Sequence, residues 1–131
     1  PHGAAITLVT DYLTDDEVLA RLRDADLIVF PYQQSGESSS AAVRFGLASC
    51  RPVACTPLPI FHDVAAVTFQ LPGITPKELA EGFVALLGDE ARLKAAELRQ
   101  TAWLAQHDWQ VVSTRLWNIL RGFAARQQTE L

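Results

Sequence analysis

Gly36-Glu37-Ser38-Ser39-Ser40 is the stretch of this 131-residue sequence whose residue types have the clearest chemical content. It sets one carboxylate and three hydroxyls directly ahead of a segment with helical apolar spacing. Backbone amides at a helix start lack intrahelical acceptors, so they suit an anion or a hydroxyl-rich ligand. A carboxylate accepts several hydrogen bonds at once, which suits the hydroxyls of a sugar. The same residues also read as an ordinary serine-capped helix with an exposed Glu37, because serine is a favoured N-cap. Residue types alone leave both readings open.

Other reactive types are scattered. His62-Asp63 has the composition of an acid–base pair, but neighbours in sequence seldom face each other, and general acid–base catalysis requires reach to the reacting atom. Cys50 and Cys55 are the only cysteines and match no metal or redox spacing, so both read as small buried side chains in a reducing compartment. Trp103, Trp109 and Trp117 read as packing residues of late helices rather than a sugar platform, since large aromatics supply core area.

The elements that must position these residues follow from periodicity. Residues 4–9, 26–31, 52–56 and 66–70 are short apolar runs read as strands, the last at an edge. Thr14 and Glu17 form a capping box ahead of a helix over residues 15–24. Ser38, Ser39 or Ser40 caps a second helix running to about Cys50, and Pro57 and Pro59 keep residues 57–60 extended. Thr75-Pro76 opens an all-helical remainder, residues 76–128, expected to form a layer that closes the domain. Strands alternating with helices predict an α/β fold with a parallel, Rossmann-like sheet. Ligands of such sheets bind beyond the carboxyl ends of the strands, here residues 10–13, 32–40 and 57–63.

Bulk properties narrow the classes. At 49% hydrophobic and 20% charged the chain reads as one globular domain over residues 1–131. Net charge is −4, with four arginines against eight acidic residues in positions 1–75, so no basic stripe is available for nucleic acid. No apolar run is long enough for a membrane span. Pro1 in place of Met suggests a piece of a longer protein.

Tyr12-Leu13-Thr14-Asp15-Asp16-Glu17, Ala25-Asp26-Leu27-Ile28-Val29-Phe30-Pro31, Glu37 and Pro52-Val53-Ala54 occur in one order at near-fixed spacing, and Asp108-Trp109 precedes the last helix. Over residues 4–123 this set resembles the C-terminal, donor-binding domain of the group 1 family of retaining glycosyltransferases, which is similar to glycogen synthase in fold. The family signature is a Glu, seven residues, a second Glu, then a small-residue stretch and Pro-Val. Counting back from Pro52-Val53 places the first Glu on Glu37 and the second on Phe45.

The resemblance implies that Glu37 contacts donor-sugar hydroxyls and that the amides of Ser38, Ser39 and Ser40 contact sugar or phosphate. Phe45 cannot accept a ribose hydrogen bond, and Arg44 is either a substitute of different geometry or solvent-facing. The implied activity is transfer of a glycosyl group from a nucleotide-diphosphate sugar to an acceptor glycan or lipid. It implies no cofactor and no protein-held metal, in the cytoplasm or at the inner membrane surface. Two βα units carrying a diphosphate-gripping basic pair and the N-terminal acceptor domain are expected outside this sequence. Two rivals stand beside this reading: a non-catalytic donor domain used for docking or nucleotide-sugar sensing, which Phe45 favours, and an unrelated doubly wound nucleoside-processing hydrolase.

Overall fold

The computed structural model describes residues 6–34 and 36–129. Each early helix begins where a side chain can satisfy its first amides. Helix α1, Asp15–Arg23, opens on a complete capping box: Glu17 N donates to Thr14 Oγ1 at 3.4 Å, and Thr14 N donates to Glu17 Oε2 at 2.8 Å. That backbone bond, followed by the Thr14 hydroxyl, holds the Glu17 carboxyl below its ordinary range. Helix α2, Ala41–Ala48, starts at Ser40, the third of the three candidate caps.

Strands form at the cores of three predicted apolar runs. They are β1, Ile28–Phe30, β2, Val53–Cys55, and β3, Phe69–Gln70. The sheet is parallel in the order β1-β2-β3, with Ile28 opposite Val53 and Ala54 opposite Phe69. All of β2 is buried, and its alternating side chains feed two cores. Val53 and Cys55 join Ile28, Val43, Leu47 and Val64 on one face. Ala54 joins Phe69, Leu71, Leu86 and Ala96 on the other.

Helix α3, Pro76–Leu87, covers the second face, again behind a capping box, Thr75 with Glu78. Helix α4, Glu90–Gln106, serves both: Leu93 and Ala96 pack in the second core, Trp103 and Leu104 against the first. Gln100, fully buried, donates from Nε2 to Val67 O at 3.0 Å and ties α4 to the approach to β3. The chain is thus a mixed α/β fold with a three-stranded parallel sheet.

Four expectations change. Residues 6–9 are not a strand: they pair with nothing described, and Ile6 and Leu8 are 76% and 82% exposed. Residues 4 and 5 of that expected strand lie outside the described residues. Residues 66–68 form a turn, because Val67 N and Thr68 Oγ1 both return to Val64 O, which delays β3 to Phe69. Pro59 starts a 3-10 helix, Pro59–Val64, instead of extending the chain, since the fixed φ of proline suits a first helical turn. Helix α5, Trp109–Thr129, does not close the domain with its apolar side: Leu116, Ile119, Leu120 and Phe123 each remain more than half exposed.

The cysteines also separate. Cys55 is buried, and desolvation pushes its thiol up to about 12, whereas Cys50 is exposed at φ 60° just past α2. Burial keeps Cys55 protonated and unreactive at neutral pH. A thiol-specific reagent on the native chain at pH 8 is expected to label one cysteine per molecule, assigned to Cys50 by peptide mapping. Two equivalents at native-state rates would contradict the Cys55 burial.

Gly46 fixes how close α2 lies to the sheet. A Cβ there would stand 2.8 Å from Phe30 Cε2 and 3.3 Å from Val53 Cγ2. Alanine is the better helix former by about 0.8–1.0 kcal/mol, but overpacking a core costs roughly 1–3 kcal/mol. Gly46→Ala is therefore expected to lower stability by about 1 kcal/mol, a loss of roughly 3–5 °C in Tm. A raised Tm would show that Phe30 yields without cost.

Candidate functional site

The carboxyl ends of β1 and β2 point toward the loop over residues 32–40 and the 3-10 helix. An aromatic cluster joins the two: Tyr32 packs against Phe61 at 5.1 Å and against Phe30 at 6.2 Å between ring centroids. Gln33 Nε2 donates to Ile74 O at 3.2 Å and holds the loop at its other side. The ladder continues one residue past the strands, as Thr56 N donates to Phe30 O at 3.2 Å.

Within that frame the predicted site residues separate. Glu37, Ser38 and Ser39 are exposed. Ser40 is buried, receives Val43 N at 3.4 Å as the N-cap of α2, and lies 3.2 Å from the Tyr32 hydroxyl. Its hydroxyl is thereby committed to the fold. Arg44 is neither free in solvent nor aimed at the loop over 37–39. Its Nη1 donates to Ser40 O at 3.0 Å, and its Nη2 to Asp63 Oδ2 at 2.6 Å. Asp63 therefore faces Arg44 and not its sequence neighbour His62, which is exposed on the 3-10 helix.

Phe45, one residue on, faces elsewhere. With Tyr12, Leu13, Val18 and Leu22 it lines an apolar hollow of about 330 Å³ between α1 and α2. Residues 12–13 of the first predicted ligand loop belong to this hollow, so only the second and third loops meet at the Arg44–Asp63 pair.

Sequence reasoning missed a larger groove on the far side of Arg44. It measures about 550 Å³ and runs from Arg44 and Asp63 to Trp103, His107, Trp109 and Val112 at the α4–α5 junction. Trp103 and His107 stack at 3.8 Å with 15° between their planes, and His107 Nδ1 lies 2.7 Å from Trp103 O. A carbonyl only accepts, so Nδ1 carries the proton in this contact. The available signal was the i, i+4 spacing of Trp103 and His107. Trp109 is 84% exposed and Trp117 60%, so two of the three tryptophans read as packing residues do not pack.

Among the described residues no three His, Cys, Asp or Glu side chains gather closely enough to hold a metal ion. None of the described helices is long and apolar enough to cross a membrane.

The serines predict a contrast. Removing a serine cap costs about 1 kcal/mol, and the lost Tyr32 partnership adds to it, so Ser40→Ala is expected to cost roughly 1–2 kcal/mol. Ser38→Ala and Ser39→Ala should stay within about 0.5 kcal/mol of the parent. Urea midpoints decide, and equal midpoints for all three would remove the structural role from Ser40. No protein-family model matches the chain, and no curated protein or solved structure shows significant similarity to it.

Proposed function

We propose that the chain is the donor-side part of a retaining glycosyltransferase and that its parallel sheet is a portion of a Rossmann-like domain. The observation that carries this reading is the placement of Glu37-Ser38-Ser39. These residues are exposed, lie beyond the carboxyl end of β1, and lead into the Ser40-capped N-terminus of α2. That position suits a hydroxyl-rich, anionic ligand, because unfilled amides and the helix dipole favour negative charge there.

In this reading Glu37 accepts hydrogen bonds from donor-sugar hydroxyls. The amides from Ser38 to Ser40 contact sugar or phosphate of a nucleotide-diphosphate sugar. Arg44 would enter only by leaving Asp63. The acceptor is a glycan or lipid, bound by parts of the protein outside this sequence. The chain alone is then catalytically inert, since orienting two substrates requires both walls of a cleft.

A second reading draws on Phe45. Its position in the α1–α2 hollow supplies no acceptor for a ribose, which favours a donor domain that senses a nucleotide sugar without transferring it. The hydrolase reading would instead use Glu37 as nucleophile or base, and binding of a nucleoside rather than a diphospho-sugar would distinguish it.

Glu37→Ala in the complete parent protein separates these possibilities. A charged acceptor to a sugar hydroxyl contributes about 1.5–3 kcal/mol, so transfer should fall at least about tenfold while Tm stays nearly unchanged. Donor binding that falls with Glu37→Ala in a parent with no measurable transfer supports the sensor. Unchanged binding and turnover would remove Glu37 from the site.

A further inference from the structure

We propose that the groove between α2, the 3-10 helix and the α4–α5 junction binds a neutral pyranose, stacked on Trp109 and hydrogen-bonded by Asp63 and Arg44. It makes no use of Glu37, Ser38 or Ser39, so it stands apart from the donor reading.

Size comes first. The groove volume of about 550 Å³ falls inside the span of roughly 300–1,000 Å³ usual for small-molecule sites. Its walls combine aromatic and aliphatic groups, Trp103, Leu104, Trp109 and Val112, with one pair of charges at the end formed by α2 and the 3-10 helix.

The charges select a neutral ligand. Arg44 and Asp63 neutralise each other at 2.6 Å, so the groove offers no net charge from this pair. An anion accepting from Arg44 would lie beside the Asp63 carboxylate, which repels it. A cation would have the converse difficulty. A vicinal diol has neither, because each hydroxyl can donate to a carboxylate oxygen and accept from a guanidinium N–H. Arg44 is suited to this role because Ser40 O and Asp63 fix both ends of its fork before any ligand arrives. Only two of its five N–H groups are used by those bonds.

The aromatic wall selects a ligand with an apolar face. Trp103 already has His107 against one face, whereas Trp109 is 84% exposed at the start of α5. An exposed indole presents a negative π-face to solvent, and the C–H side of a pyranose carries the complementary positive polarity. Stacking there leaves the sugar's hydroxyl rim to reach Asp63 and Arg44. A nucleobase would also stack, but it lacks the adjacent hydroxyls that the ion pair is suited to grip.

Calorimetric titration of the full chain with maltose, cellobiose and chitobiose tests the proposal, with uridine, adenosine and inorganic phosphate as comparison ligands. At least one neutral sugar should bind saturably, with Kd in the range of about 0.1–10 mM. Trp109→Ala should weaken it at least about tenfold, Trp109→Phe less, because a smaller ring keeps part of the stacking surface. Asp63→Asn should weaken it roughly fivefold, as charged acceptors bind more strongly than neutral ones. Circular dichroism confirms that each variant remains folded, as the exposure of Trp109 leads one to expect. The proposal is overturned by no saturable sugar binding up to about 50 mM, by equal affinity in Trp109→Ala, or by tighter binding of a nucleoside or phosphate than of every sugar. It is also overturned if light scattering shows a second copy occupying the groove, as a dimer that Trp109→Ala disperses and sugar does not. Nucleotide-sugar binding to Glu37→Ala bears on the donor reading alone, so the two can fail separately.

Discussion

Helix α2 lies against the sheet at a separation that a side chain at Gly46 would strain, and every candidate ligand contact is measured from that seat. Phe30 and Val53 fill the space where a Gly46 side chain would stand. Val43, one turn before it, and Leu47, the next residue, are completely buried in the same core. With the helix axis fixed this closely, its first turn has little freedom. In that seat Ser40 meets Tyr32, and Arg44 meets Asp63. Close packing of this kind is stiff, so a displacement of α2 would be felt at both ends.

Two guanidinium groups reinforce the seat from outside the core. Arg44 joins the start of α2 to the 3-10 helix. Arg51, just past its end, donates from Nε to Arg23 O at 2.6 Å and from Nη1 to Glu97 Oε1 at 3.4 Å. Arg51 thus caps the last turn of α1 and reaches α4 in one side chain. These pairs are partly solvated, so their energies are modest and their value is directional. Lys94 first, then Arg51, holds the Glu97 carboxyl below its ordinary range. A carboxyl lowered in the folded state supports folding above its unfolded pKa, and that support fades as pH falls through the folded value.

How much was legible in the sequence depended on whether a signal was local. Thr14 with Glu17, and Thr75 ahead of Pro76, announce helix starts through bonds spanning three residues, and both appear where expected. The apolar runs at 26–31 and 52–56 contain β1 and β2 and pair in parallel. Residues 6–9 have the same composition as those runs, yet composition states only that a segment suits burial, and no described strand lies beside it to pair with. The late helix shows the same limit: its apolar spacing is correct, but spacing cannot say whether a facing element exists. At the site, Ser40 was foreseeable as a cap because capping is local. The Arg44–Asp63 pair spans 19 residues and required the third dimension. Membership of Glu37, Ser38 and Ser39 in a ligand site still rests on the resemblance and on their placement.

The topology also has a kinetic meaning. Ile28 finds its partner Val53 25 residues later, and Ala54 finds Phe69 15 residues after that. Each pairing closes across a loop of modest length, and closure entropy grows only slowly with such lengths. The central strand is finished before its second neighbour is synthesised, and α2, which covers one of its faces, precedes it in the chain. As the chain leaves the ribosome, β1, α2 and β2 can therefore assemble into a partial layer while β3 and α3 are still being made. Between those moments the opposite face of β2, centred on Ala54, has no cover, because Leu71, Leu86 and Ala96 all come later. The small side chain of Ala54 limits the apolar surface bared during that wait, and with it the opportunity for a nascent chain to stick to its neighbours.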